Sequence, residues 1–219
     1  MPPVILSRKV GELEVLTYLV YCPRTSQGVI IDPAGEPEGL AAWVEEQGVR
    51  LRYLLATHGH PDHVLGAARL RELTGAPLAL HRADREFFAG EEGRRVVAAE
   101  LGLPLELEAD VVLEDGQRLA VGELEVEVIH TPGHTPGSVC YLVEGNLFTG
   151  DTLFVGAVGR TDLGGASLEV LLDSLARRIL PLPGETVVWP GHDYGEAPRS
   201  TLAREREENP YITDFILAE

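Results

Sequence analysis

Apolar positions along the chain alternate between strand and helix spacing. Val4 to Val10 and Leu13 to Cys22 read as two strands separated by Gly11-Glu12, a hairpin pattern. Gly28-Val29-Ile30-Ile31-Asp32 is a third, continuously apolar strand that ends at Pro33-Ala34-Gly35. Residues 37–47 change to helical spacing, with Leu40, Trp43 and Val44 on one face and a stop at Gly48. Leu51 to Ala56 predicts the next strand, and Leu65, Ala68, Leu70 and Leu73 predict a helix from about Pro61 to Thr74, closed by Gly75. Pro77 to His81 reads as a short strand. Arg82 to Gly102 reads as helical with a break at Gly90.

The pattern changes after Pro104. Val111-Val112-Leu113, Gln117 to Val121 and Leu124 to His130 read as short strands joined by Asp115-Gly116 and Gly122-Glu123, and Ser138 to Val143 and Asn146 to Thr149 continue the meander. A helix fits Ser167 to Ile179, a last strand Thr186 to Trp189, and a polar helix Ala197 to Glu208 before the Asn209-Pro210 stop. Strands with helices, then strands, then strands with helices again fit an α/β (α+β) fold: a four-layer αββα sandwich, each sheet covered on its outer face, in a single domain over residues 1–219. The meander argues against a doubly wound sheet. No G-x-G-x-x-G, Walker A or G-x-S-x-G sequence is present, so nucleotide-fold and serine-hydrolase readings lack their motifs.

Composition narrows the function classes. The 219 residues, 44% hydrophobic and 24% charged, suffice for one globular domain. The formal net charge of −17 is spread along the chain without a basic block, which disfavours nucleic acid as a partner. No apolar run approaches the roughly 20 residues that span a bilayer, and the N-terminal residues lack signal-peptide features. The expectation is a cytoplasmic protein with no membrane partner. Cys22 and Cys140 lie far apart in apolar runs and read as buried free thiols.

The chemistry concentrates in Thr57-His58-Gly59-His60-Pro61-Asp62-His63, directly after a predicted strand. Side chains repeat every two residues along a strand, so His58 and His60 emerge on one side. Asp62 and His63 follow where the turn closes into the helix. Later strand ends supply further donors: His134 within Thr131-Pro132-Gly133-His134-Thr135-Pro136-Gly137, Asp151 after Gly150, and His192 after Pro190-Gly191. Seven N and O donors (His58, His60, Asp62, His63, His134, Asp151 and His192) exceed a closed four-ligand zinc site and suit two cations with open positions. A carboxylate can bridge two cations, and Asp151 is the strand-end candidate for that role. His81 and His130 read as non-ligands, His130 because its side chain is expected to face away from the loop that follows it.

H-x-H-x-D-H, the His of T-P-G-H-T-P-G, G-D and P-G-H, in that order, resemble the metallo-β-lactamase-fold superfamily over nearly the whole chain. The resemblance implies His58, His60 and His134 around one metal, Asp62, His63 and His192 around a second, and Asp151 bridging. It implies two divalent ions, zinc first, with iron or manganese as alternatives. Within the superfamily, Gly150-Asp151-Thr152-Leu153-Phe154, Gly159-Arg160, Gly191-His192-Asp193-Tyr194 and Thr201-Leu202-Ala203 before Asn209-Pro210 look like glyoxalase II, the hydroxyacylglutathione hydrolases. By that resemblance Arg160 and Tyr194 contact substrate, a small-molecule thioester with a possible glutathione carrier. The longer members carry basic residues soon after the Asn-Pro step. Here Tyr211-Ile212-Thr213-Asp214-Phe215 follows, as in a short type without the extra helical domain, which leaves the carrier open.

The implied mechanism is hydrolytic. Two cations lower the pKa of a shared water to about 7, the resulting hydroxide attacks the thioester carbonyl, and Asp62 orients it and accepts its proton as the catalytic residue. A second enzyme class, the persulfide dioxygenases, also resembles the chain through its Gly159-Arg160-Thr161-Asp162 run, with one iron on His58, His134 and Asp151. Lactonases and phosphodiesterases of the superfamily share all seven donors. A non-catalytic metal-binding scaffold would be marked by a missing donor, and none is missing.

Overall fold

The computed structural model describes residues 2–101 and 107–218. The first sheet contains β1 (Val4–Val10), β2 (Val15–Tyr21), β3 (Gln27–Ile31), β4 (Arg50–Leu55), β5 (Leu78–His81) and β6 (Val111–Leu113), in that spatial order. The hairpin β1–β2 and the pair β2–β3 are antiparallel, whereas β3 to β6 run parallel. Parallel neighbours need crossovers. These are α1 (Pro37–Glu46), then α2 (Pro61–Val64) with α3 (Ala67–Thr74), then α4 (Arg82–Ala89) with α5 (Glu91–Leu101). The end predicted for this last helical stretch, Gly102, and the change of pattern at Pro104 lie outside the described residues.

The second sheet starts with the antiparallel meander β7 (Arg118–Val121), β8 (Leu124–His130), β9 (Val139–Val143) and β10 (Asn146–Gly150). A small ribbon, β11 (Leu153–Phe154) with β12 (Ala157–Val158), and helix α6 (Leu168–Ser174) lead to β13 (Val187–Pro190), which pairs parallel to β10. The edge strand β14 (Ser200–Thr201) precedes α7 (Leu202–Glu208) and α8 (Pro210–Thr213).

Alternation along the strands creates the four layers. In β2, Tyr18 and Val20 face the second sheet, where they meet Val128, Tyr141 and Phe148, while Leu19 faces out toward Leu40, Trp43 and Leu70 of the helices. On the far side, Cys140, Leu147 and Val188 pack under Leu171, Leu175, Leu202 and Ile212. Each buried side chain of this kind contributes about 1.5–3 kcal/mol of hydrophobic free energy. Two tyrosine hydroxyls fix the sheets to each other: Tyr141 donates to the Ala56 carbonyl at 2.6 Å and Tyr18 to the Pro190 carbonyl at 2.7 Å. Cys22 and Cys140 are free and buried. Among the described residues, no helix is long and apolar enough to cross a membrane.

Three local expectations differ from what is found. The helix predicted from Pro61 to Thr74 is divided at Leu65-Gly66, where the Gly66 N–H donates to the Pro33 carbonyl at 3.0 Å. A Cβ there would lie 2.9 Å from the carbonyl oxygens of both Pro33 and Gly35, so the chain passes too close for any other residue. Val111–Leu113 does not start the meander but pairs parallel with Ala79–His81, closing the edge of the first sheet. The polar helix starts at Leu202, not Ala197, because Ser200 and Thr201 pair with Val188 and Val187 and the Thr201 hydroxyl caps the Arg204 N–H at 3.3 Å.

Candidate metal centre

Strand ends carry the candidate donors to one rim of the sandwich. His58 and His60 follow β4, Asp62 and His63 lie in α2, His134 is in the β8–β9 loop, Asp151 follows β10, and His192 follows β13. Because β10 and β13 are parallel, both deliver their following residues to the same end, joined there by the Gly191 N–H to the Gly150 carbonyl at 2.8 Å. Two backbone bonds tie this rim across the sheets: Val139 N–H to Thr57 O at 2.8 Å and Leu16 N–H to Gly191 O at 2.7 Å.

The donors gather into three overlapping groups: His58, His60 and His134; His58, His63 and Asp151; and Asp62, His63 and His192, with the ligand atoms of each group within 4.8 Å of one another. His60 Nδ1 faces His134 Nε2 at 2.9 Å, and His63 Nε2 faces His192 Nε2 at 3.3 Å. Two nitrogens bound tetrahedrally to one zinc ion would stand about 3.3 Å apart. Asp151 Oδ2 is 3.7 Å from both His134 Nε2 and His192 Nε2, and its Oδ1 is 3.3 Å from His63 Nε2. It therefore stands between the first and last groups. His58 Nε2, His60 Nε2 and Asp151 Oδ1 are buried without a hydrogen-bond partner. Unpartnered polar atoms are costly in a folded interior, and a cation held by one atom of each residue would engage His58 Nε2 and Asp151 Oδ1, so the residues present fit divalent metal.

The outer nitrogens explain why the rings point inward. His134 Nδ1 lies 2.8 Å from the Arg160 carbonyl and His192 Nδ1 3.2 Å from the Leu13 carbonyl. A carbonyl only accepts, so each Nδ1 carries the proton and Nε2 offers its lone pair to the centre. Thr57 Oγ1 donates to Asp32 Oδ2 at 2.9 Å, which leaves it to accept from His58 Nδ1 at 3.0 Å. Asp32 Oδ2 also faces His63 Nδ1 at 2.9 Å. Asp32 thus orients two imidazoles, one directly and one through Thr57.

Electrostatics divide the cluster. Burial, reinforced by neighbouring imidazoles, holds His58 and His60 neutral, His60 down to about 3, and burial also lowers His134. Burial acts the same way on His63, but Asp62, Asp151 and Asp32 outweigh it and hold its pKa well above the usual value. Asp62 and Asp151 are both kept below the ordinary carboxylate range, their burial outweighed first by His63. Two ionised carboxylates, Asp62 and Asp151, beside three neutral imidazoles are donors of the kind that cations require, and His63 joins them on giving up its Nε2 proton.

Asp84 was not predicted. Its fully buried carboxylate, at the start of α4, accepts from Gly59 N–H at 2.8 Å, Thr135 Oγ1 at 2.8 Å and Gly137 N–H at 2.6 Å, clamping the His58–His60 turn to the His134 loop. Nothing local in the sequence marks it. Asp32 had a signal, an acidic residue ending an apolar strand, the same placement that singled out Asp151. His130 does not turn from the loop: its Nε2 is 2.9 Å from the Pro136 carbonyl and its ring stacks on His81 at 4.0 Å, away from the donor groups.

Arg160 and Tyr194 both border the centre. The Tyr194 ring lies parallel to His192 at 4.8 Å and is 66% exposed. The Arg160 guanidinium forms a two-pronged pair with Asp162, at 2.7 and 2.8 Å, and its backbone holds His134. A cavity of about 650 Å³ opens over Asp62, Asp151 and His192.

Known proteins resemble this chain in sequence and in fold. The chain is 34% identical over 192 residues to the hydroxyacylglutathione hydrolase GloC of Haemophilus influenzae, covering 84% of this chain and 86% of that one. It is 34% identical over 201 residues to the mitochondrial persulfide dioxygenase ETHE1 of Bos taurus, covering 90% and 71%. Among solved structures it resembles the BLEG-1 B3 metallo-β-lactamase, with a TM-score of 0.86, 33% identity and coverage of 96% and 100%. TTHA1623, solved in a di-iron-bound form, gives a TM-score of 0.77, 39% identity and the same coverage. Residues 10–192 match the family model itself, and with this fold and this His/Asp cluster the chain belongs to the metallo-β-lactamase superfamily, whose metallo-hydrolase relatives mark it as an enzyme.

Proposed function

We propose that this chain, as one domain, is a metal-dependent hydrolase of a small-molecule thioester such as S-lactoylglutathione. The observation that carries this reading is the pair of donor groups, His58–His60–His134 and Asp62–His63–His192, with Asp151 between them. His58, His60 and His134 would hold one cation and Asp62, His63 and His192 the other, zinc first, with iron or manganese as alternatives. Bound there, divalent cations supply ionised water near neutral pH and polarise the scissile carbonyl.

The chain's own groups do the rest. Among the donors that line the open cavity Asp62 is the most exposed, its side chain 23% exposed and 3.5 Å from His192 Nε2. It orients the attacking water and accepts its proton. Tyr194 packs against the substrate, and Arg160 lies where a polar carrier group passes. The leaving thiol, with a pKa of about 8.5, departs as thiolate without a dedicated general acid. The hydroxyacylglutathione hydrolase relative supports this reading.

The persulfide dioxygenase relative favours a second reading, with one iron on His58, His134 and Asp151. Turnover of S-lactoylglutathione by the metal-reconstituted protein, followed through loss of the thioester absorbance and abolished by His58→Ala, is the expected result. No thioester turnover, together with oxygen consumption on glutathione persulfide at one iron per chain, would replace the first reading with the second.

A further inference from the structure

The cleft over the candidate centre has two arms that share Asp151, Arg160 and Tyr194. One, of about 650 Å³, runs between the β1–β2 turn and the α2–α3 junction, with Val10, Val15, Leu13 and Leu65 along it. The other, of about 530 Å³, presents Thr161 and Tyr211 beside the shared Arg160 and Tyr194. Both volumes are those of ordinary small-molecule sites.

Leu13 and Leu65 are 60% and 52% exposed. A single exposed leucine needs no explanation, but these two line one cavity beside the metal-ligand groups. Neither sits on a slack loop. The Leu13 carbonyl receives His192 Nδ1, and the turn around it is closed by Glu14 N–H to Gly11 O at 3.2 Å. Leu65 follows the His63 turn and donates its N–H to the Pro61 carbonyl at 2.9 Å. Both apolar side chains are held by the same backbone that holds donor residues.

The two arms differ in the balance of their charges. Away from the metal-ligand groups, the larger arm carries Glu12 and Glu36, and Arg160 stands at the junction, engaged by Asp162. An anionic group entering that arm meets carboxylates, whereas an uncharged chain gains from leaving water along the leucines. The smaller arm holds both members of the Arg160–Asp162 pair, so its charges balance, and adds Thr161, Tyr194 and Tyr211 beside Phe154 and Leu168.

We propose that the larger arm takes the acyl half of the substrate as an unbranched aliphatic chain and that Leu13 and Leu65 set its preferred length. The acyl assignment rests on the thioesterase reading. The test uses binding: straight-chain carboxylates from acetate to octanoate, the acyl products, titrated calorimetrically into zinc-loaded protein and into the Leu13→Ser/Leu65→Ser double variant. Affinity should rise about two- to fourfold per methylene in the wild type and flatten in the variant, with a melting temperature confirming that the variant is folded. A flat wild-type series, no binding of octanoate, or a rise that survives in the variant would overturn the proposal. Thioester turnover with a flat series leaves the hydrolase reading intact and removes this inference. The expected rise with no thioester turnover would overturn the hydrolase reading and the acyl assignment with it.

Discussion

Asp32 Oδ2 stands 2.9 Å from His63 Nδ1, and both side chains are buried, 2% and 0% exposed. The carboxylate keeps the Nδ1 proton in place, so Nε2 is the nitrogen aimed at Asp62, Asp151 and His192. The same oxygen receives the Thr57 hydroxyl, which in turn receives His58. One side chain from the end of β3 therefore controls one imidazole in each proposed ligand group.

Asp32→Asn keeps the size of that group and weakens its hold on both rings. Cation affinity at the Asp62–His63–His192 group should fall about 10- to 100-fold, with a smaller effect on the His58 group, where Thr57 intervenes. Competition with a chromophoric chelator measures both steps. Equal affinity in wild type and variant would remove Asp32 from this role.

Gly150 is the second point where the fold controls the centre. Its φ is +47°, and a Cβ would sit 2.3 Å from Thr57 Oγ1. Thr57 cannot retreat without losing Asp32 and His58. Gly150→Ala should cost about 2–4 kcal/mol through strain and overlap and lower zinc uptake, read by thermal melting and by metal content after dialysis. A variant with wild-type melting and full zinc would show that the neighbouring turn gives way freely.

Much of this architecture was legible in the chain because its signals are local. The H-x-H spacing at the end of an apolar strand fixes the side on which His58 and His60 emerge, and strand-end placement singled out His134, Asp151 and His192. What was not legible depends on partners far along the chain. The division at Gly66 is set by carbonyls of Pro33 and Gly35, and the sheet that Val111–Leu113 joins is set by β5, which three apolar residues cannot announce. Asp84 is an acidic residue in the first turn of a helix, an ordinary surface pattern, until folding brings Gly59 and Gly137 against it.

Asp62 is both a proposed ligand and the proposed base, so its variant tests the chemistry only at matched metal content. It is the more exposed carboxylate of the cluster, 23% against 12% for Asp151. Asp62→Asn should lower kcat by about 10²–10⁴-fold and leave KM within a few-fold, because the group acts on the nucleophile and not on the bound substrate. Steady-state kinetics on variant protein with wild-type metal content decide it. Undiminished kcat in that protein would end the proposed role.

Asp84 links the loops of two donors through a carboxyl that burial raises to about 6 from 3.8, with hydrogen bonds from Thr135, Gly59 and Gly137 pulling the other way. Because the pKa is higher in the fold, the folded chain holds this proton more tightly than the unfolded one. The resulting stabilisation is fully present below about pH 4 and is lost as pH rises through 6. Asp84→Asn has no proton to bind there, so the stability of wild type relative to this variant should decline by about 2–3 kcal/mol between pH 4 and pH 7. Urea denaturation across that range measures the difference, and a flat difference would contradict a buried, titrating Asp84. Asp84→Ala removes the acceptor of two buried N–H groups, and about 1–3 kcal/mol for each should be missing from its stability at neutral pH.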